Sequence, residues 1–237
     1  MTKISICVPV YTMEKRTSEK LLVEFFSHLV LQSFRNFDVI VSDQSEADNL
    51  KNICDVFSDA LDIKYFKNSS NVKNAANNVN NALSKAEGEI IKILYMDDFF
   101  VDTNALLKIY NAFCQNNGKW LINGFTHSDY NRINFFDTRI PSFQDKRVNG
   151  DNTTGNPSSY AVRKECLLYM DENLLWLVDG EYFYRSYYYY GDPIIIDDIL
   201  VAFREHEYSA FLDPKFRELD ERERKYCIEK YQNNTKI

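Results

Sequence analysis

The chain has 237 residues, 45% hydrophobic and 27% charged, a balance that excludes an intrinsically disordered protein. Lys and Arg total 28 against 35 Asp and Glu, a formal net charge of −7, which argues against a nucleic-acid backbone reader and leaves room for a small anionic ligand held by a metal. A chain of this length buries roughly 70–75% of its unfolded surface, so it needs neither disulfide nor metal to fold.

The five cysteines (Cys7, Cys54, Cys114, Cys166, Cys227) lie far apart, without the close pairs of zinc ribbons or redox motifs. Ile4–Val10 is a short apolar run followed at once by polar chain, which reads as no signal peptide, and no apolar run is long enough to span a bilayer. The expectation is a soluble, cytoplasmic protein.

In chain order, Ile4–Val10 is β-branched and apolar and predicts a buried strand. From Thr17 to Gln32, Leu21, Leu22, Phe25, Leu29 and Val30 recur at helical spacing. Phe37–Ser42 predicts a second strand that ends in Asp43-Gln44-Ser45-Glu46, followed by a helix over about 49–60 and a strand at 62–66. Residues 71–86 are helical by pattern despite many asparagines, and Gly88 breaks them. Glu89–Met96 then predicts a fourth strand running into Asp97-Asp98.

Strands alternating with helices predict an α/β fold of Rossmann-like type, a mainly parallel sheet with helices on both faces. Ligands in such sheets bind beyond the carboxyl ends of the strands. Tyr11-Thr12-Met13, Asp43-Gln44-Ser45 and Asp97-Asp98 should therefore face one crevice.

Residues 101–128 receive no element. Residues 129–158 show little periodicity and form a candidate lid over a site. A strand at Tyr160–Val162, a helix near 164–170, an aromatic helix around 180–190, a strand pair at 193–196 and 199–203, and a solvated helix over 214–231 complete the expectation. With no linker between the halves, residues 1–237 read as one domain.

Several residues could carry chemistry. Asp97-Asp98 after an apolar strand suits Mg2+ or Mn2+, and equally suits an N-cap and turn. Asp43 could accept hydrogen bonds from a base or ribose edge, or cap the following helix. Asp179-Gly180-Glu181 opens the aromatic helix, where the helix dipole should hold an anion and keep its pKa low; capping is the plainer role. His206, in Arg204-Glu205-His206-Glu207, is a lone histidine that could be structural or a ligand. His28 and His127 receive no role, and Tyr184, Tyr187 and Tyr188 read first as packing.

The order of these pieces resembles the family 2 glycosyltransferases of the GT-A fold. Ile4–Tyr11 is similar to that family's opening strand and its proline-containing turn, which places Pro9 and Tyr11 beside the nucleotide. Val39–Ser45 resembles the strand whose terminal Asp, here Asp43, binds the base. Asn74–Asn78 through Ala86–Ile91 is similar to the helix, Gly-Glu turn and strand that lead into the metal motif. Where the family often reads Leu-Asp-x-Asp-Asp, this chain has Leu94-Tyr95-Met96-Asp97-Asp98, so Tyr95 stands in the position of the ribose-contacting Asp and Asp97 in that of the metal ligand. Gly155–Glu165 resembles the segment before the acceptor site, Asp179–Arg185 the helix led by the catalytic base, and Arg204-Glu205-His206 a late element whose His can join the metal.

The resemblance implies an inverting, metal-dependent transfer from a nucleotide-diphosphate sugar. Residues 1–100 would form the nucleotide-sugar half and 101–237 the acceptor half. Asp179 would be the base, with Asp97 and His206 on Mn2+ or Mg2+. It also implies surface-polysaccharide assembly on a saccharide or lipid-linked saccharide acceptor, with no nucleic-acid partner and at most peripheral membrane contact. Two rivals stand beside it. A nucleotidyltransferase would need a Gly-rich basic loop that Tyr11-Thr12-Met13-Glu14 does not supply. A degenerate GT-A domain would bind a sugar or a partner without turnover.

Overall fold

The computed structural model describes residues 2–13, 17–143, 153–206 and 214–232, with backbone alone at 214–217 and 232. Its first half is an alternating series: β1 (Ile4–Val10), α1 (Thr17–Val30), β2 (Phe37–Asp43), α2 (Asn49–Phe57), β3 (Ile63–Lys67), α3 (Ala75–Leu83) and β4 (Ile90–Ile93). The four strands pair in parallel in the order β3-β2-β1-β4. Val10, Asp43 and Lys67 lie level at their carboxyl ends.

These strands are apolar on both sides because helices cover both faces. Ile4, Ile6, Val8 and Val10 pack with α1, α2 and the later α4, whereas Cys7 and Ile40 pack with α3 and the aromatic helix of the second half. Gly88 is required where α3 returns to the sheet, since a Cβ there would lie 2.5 Å from the Ser5 backbone nitrogen.

The second half extends the same sheet. It comprises β5 (Phe99–Phe100), α4 (Ala105–Gln115), β6 (Trp120–Ser128), β7 (Phe135–Arg139), β8 (Tyr160–Arg163), α5 (Val178–Tyr190), β9 (Ile194–Arg204) and α6 (Pro214–Gln232). The full order is β3-β2-β1-β4-β8-β6-β9-β5, with β7 also on β6. β8 joins β4 and β6 antiparallel, and β6 and β9 run parallel over a long ladder. The α/β architecture is as expected, and parallel ladders carry most of the paired positions.

Several boundaries differ from the sequence reading. α4 and β6 occupy the stretch given no element. β4 stops at Ile93, leaving Leu94–Asp98 as a turn in which Asp98 N donates to Tyr95 O at 3.1 Å. Asn74 caps α3 through Asn77 N at 2.8 Å, so the helix starts later than its apolar pattern. The helix expected near 164–170 is one 3-10 turn at Lys164–Cys166.

The expected strand pair is one strand, β9, whose register against β6 shifts at Gly124. A Cβ at Gly124 would sit 2.7 Å from Asp198 O, so the glycine admits the irregularity. β7 lies within the segment expected to be irregular, and residues 144–152 of the candidate lid fall outside the described residues. α6 is not merely solvated: Cys227 and Glu223 are buried in its contact with the α5 side of the molecule.

All five cysteines are free. Among the described residues no helix is long and apolar enough to cross a membrane.

Candidate active site

The carboxyl ends of β1, β2 and β4 converge as expected. Gln44 N donates to Val10 O at 3.1 Å, and Leu94 N to Cys7 O at 3.1 Å. Asn78 of α3 ties the ends together: its amide donates to Val10 O at 2.9 Å and its oxygen accepts from Ser42 Oγ at 2.7 Å. The asparagines that look unfavourable for a helix thus fasten α3 to the strand ends.

Pro9 is buried within β1 opposite Ser42. Tyr11 stands at the mouth, half exposed; its partial burial and then the charge of Asp97 raise its phenol pKa. Asp43 is wholly buried, and its carboxylate accepts from Ser45 N at 2.7 Å and from Tyr65 Oη at 2.6 Å. It does not cap α2, whose N-cap is Asp48. Of the predicted nucleotide contacts, Asp43 is therefore the one enclosed by the protein's own donors.

The Tyr95–Asp98 turn holds two carboxylates in different states. Asp97 reaches outward, and its Oδ2 lies 3.1 Å from His206 Nε2. Asp98 is buried, accepting from Arg204 N at 3.1 Å and from Asn156 Nδ2 at 2.9 Å. Burial first, then the neighbouring Asp97 charge, pushes its carboxyl up to about 8. Tyr95 N donates to Ser158 Oγ at 2.9 Å. Burial, reinforced by the nearby Asp179, Asp98 and Asp97 charges, drives the Tyr95 phenol well above its ordinary value.

Asp179 and Glu181 separate cleanly. The segment leading into α5 is held from another element: Glu223 of α6 accepts from Leu175 N at 3.0 Å and from Trp176 N and the N-cap Leu177 N at 2.9 Å each. Asp179 stands inside the first turn, two residues beyond the N-cap, and makes no hydrogen bond to any described residue. Glu181 is wholly buried and consumed, bonded to Arg185 at 2.7 and 2.9 Å, to Lys230 at 2.7 Å and to Tyr231 at 2.5 Å.

The helix-dipole expectation for Asp179 is corrected. Burial raises its carboxyl to about 7, because lost hydration disfavours the ionised form. A carboxyl of that pKa accepts a proton near neutral pH.

Asp97 and His206 supply one oxygen and one nitrogen donor on a single side of the crevice. Among the described residues no cluster of three or more His, Cys, Asp or Glu is placed to hold a metal. Two donors fit a site completed by phosphate oxygens, the arrangement common for Mg2+ beside a nucleotide.

Asn156, Ser158, Arg204 and Glu223, which position these groups, drew no role of their own from the sequence. Asn156-Pro157-Ser158 carried the one usable signal, an Asx cap followed by Pro, and Asn156 Oδ1 does accept from Ser158 N at 2.7 Å. His28 contacts Arg132 Nη1 at 2.7 Å and His127 lies 3.4 Å from Asp137, both outside the crevice chemistry. Tyr187 stacks on Phe143, and Tyr184 meets Tyr231 edge-on, as packing.

Comparison with known proteins places this geometry. The family model described as glycosyl transferase family 2 matches residues 5–168. Over 133 residues the chain is 29% identical to glycosyltransferase GlyG of Streptococcus pneumoniae, covering 56% of this chain and 42% of that protein. Over 99 residues it is 31% identical to the Campylobacter jejuni GalNAc(5)-diNAcBac-PP-undecaprenol beta-1,3-glucosyltransferase, covering 41% of this chain and 30% of that one. The matched stretch is thus less than half the length of either relative. The fold is similar to S. aureus TarS 1–349 in complex with UDP-GlcNAc, with a TM-score of 0.67 at 22% identity, over 92% of this chain and 64% of that chain.

Proposed function

The chain belongs to glycosyl transferase family 2, and on that footing we propose that it moves a sugar from a nucleotide-diphosphate sugar to a hydroxyl acceptor by a single inverting displacement. One observation carries the reading. Asp179 is a carboxylate without a hydrogen-bond partner among the described residues, with its carboxyl at about 7, and it acts electrostatically on the same Tyr95 as the Asp97 carboxylate that meets His206. The base and the Asp97–His206 pair thus both lie near Tyr95.

In the step, the acceptor oxygen attacks the anomeric carbon and the bond from that carbon to the diphosphate oxygen breaks. The hydroxyl proton passes to Asp179. A positioned base of this kind contributes roughly 10²–10⁴-fold. Asp97 and His206 would hold Mn2+ or Mg2+, which when bound supplies neutralisation of charge on the departing diphosphate. Tyr11 and Tyr95 line the donor side. The ends of β1, β2 and β4 keep both partners in reacting geometry.

Residues 1–100 would form the donor half and 101–237 the acceptor half of one domain. The name of the Campylobacter relative supports a lipid-linked saccharide as the acceptor and surface-polysaccharide assembly as the setting. Membrane contact would then be peripheral, from the cytoplasmic side.

The test is calorimetric titration of UDP, GDP and dTDP, each with and without Mn2+, on wild type and Asp97→Ala. The reading expects one nucleotide to bind with metal, and Asp97→Ala to abolish that binding. Failure of all three nucleotides under both conditions overturns it. Tyr95, where the family often has Asp, keeps a non-catalytic binding domain as the second reading, and hydrolysis of the cognate donor by wild type but not by Asp179→Asn excludes it.

A further inference from the structure

We propose that Lys92 is a positioning residue that sets the Tyr95–Asp98 turn through the 156–160 segment; this rests on the reading of that turn as the donor and metal side of the site.

Lys92 projects from β4 into the interior and is fully buried. Its amine donates to Ser158 O and, at 3.2 Å, to Tyr160 O. The same short segment grips the turn at both ends. Ser158 Oγ accepts from Tyr95 N at 2.9 Å, and Asn156 Nδ2 donates to Asp98 Oδ2 at 2.9 Å. Ser158 N closes the segment on itself through Asn156 Oδ1. One amine therefore anchors the backbone that carries both grips, and Asp97, the outward carboxylate, lies between the two residues gripped.

The residue type is informative. A buried amine loses hydration that its contacts must replace, whereas Leu or Met would fill the same space without that cost. Lys92 sits where β8 crosses from β4, opposite Ala161 and Ile6. An apolar chain there would leave the Ser158 and Tyr160 carbonyls without this donor. Burial lowers the Lys92 amine to about 7, against the opposing influence of Asp98.

The experiment compares wild type with Lys92→Met and Ser158→Ala. Its readouts are thermal melting, amide hydrogen exchange resolved at Tyr95 and Arg204, and affinity for UDP, GDP and dTDP with Mn2+. The expected result for Lys92→Met is a cooperative melt, unchanged exchange in β1, and exchange at Tyr95 and Arg204 faster by about tenfold or more, with Mn2+-dependent nucleotide affinity down about 10- to 100-fold. Ser158→Ala removes the acceptor of Tyr95 N directly and gives the size of the Tyr95 change to be matched. Lys92→Gln, with a shorter donor, decides the matter by the same exchange readout if Lys92→Met does not fold. Wild-type exchange at Tyr95 and Arg204 in the folded variants overturns the proposal. If wild type binds none of the three nucleotides, the transferase reading fails, while the exchange data still judge the clamp.

Discussion

His206 Nε2 lies 3.1 Å from Asp97 Oδ2, a contact between residues 109 positions apart in the chain. It forms because Arg204, at the end of β9, donates its backbone N–H to Asp98, which brings the end of β9 against the turn after β4. Asp97→Asn should abolish metal-dependent nucleotide binding. His206→Ala should weaken it by about 10- to 100-fold, the range seen when one partner of a metal site is lost. Titration with and without Mn2+ checks both, and equal losses in the absence of metal would count against a shared site.

Asp179 should govern the pH profile. With its carboxyl at about 7, turnover should rise with pH through that value as the base deprotonates, and Asp179→Asn should lower kcat by roughly 10²–10⁴-fold. The sign for stability is the reverse. The group is protonated in the fold up to about pH 7 but ionises near pH 4 when unfolded, so its contribution is full in acid and is lost as pH rises through about 7. Asp179→Asn should therefore raise Tm relative to wild type at pH 8 and change it little at pH 4.

Glu181, two residues on, should behave oppositely. Glu181→Gln removes the charge that Arg185, Lys230 and Tyr231 share in the interior, and should cost about 3 kcal/mol in a urea titration. Where the variant remains folded, its kcat should stay within a few-fold of wild type. A loss of kcat matching that of Asp179→Asn would reassign the base.

Gly155 adopts φ +87°, and a Cβ there would lie 2.8 Å from a ring carbon of Phe125 and 2.9 Å from one of Phe203. Gly155→Ala should lower stability by about 1–3 kcal/mol, from the left-handed backbone and the ring contacts together. Because Asn156 follows directly and holds Asp98, donor affinity should fall in parallel. Thermal melts and nucleotide titration on the same preparation measure both effects.

Much of the first half is legible in the sequence because its signals are local. Ile4–Val10 and Phe37–Asp43 are continuous apolar strands, and their polar ends mark where a parallel sheet opens its crevice. The second half is less so. α4 and β6 went unassigned, and β9 read as two strands, since its irregularity around Asp198 is admitted by Gly124 of β6, a residue far away in sequence.

At the site, residue types and position marked Asp97-Asp98, Asp179-Gly180-Glu181 and His206 beside plainer structural roles, and the family resemblance chose Asp97 and Asp179 among them. Periodicity and composition added the α/β class and the acidic, disulfide-free character of the chain. Composition and periodicity act over a few residues, and that is as far as they reach. The tertiary structure decided which carboxylate is free. Glu223 arrives from α6 to hold the chain at 175–177 that leads into α5, while Lys230 and Tyr231 from the same helix consume Glu181 and leave Asp179 without a hydrogen bond among the described residues. It likewise decided that Asp98 is buried and Asp97 presented, through Asn156 and Arg204. Desolvation and hydrogen bonding between distant segments set those states, and neither is encoded in any window of neighbouring residues.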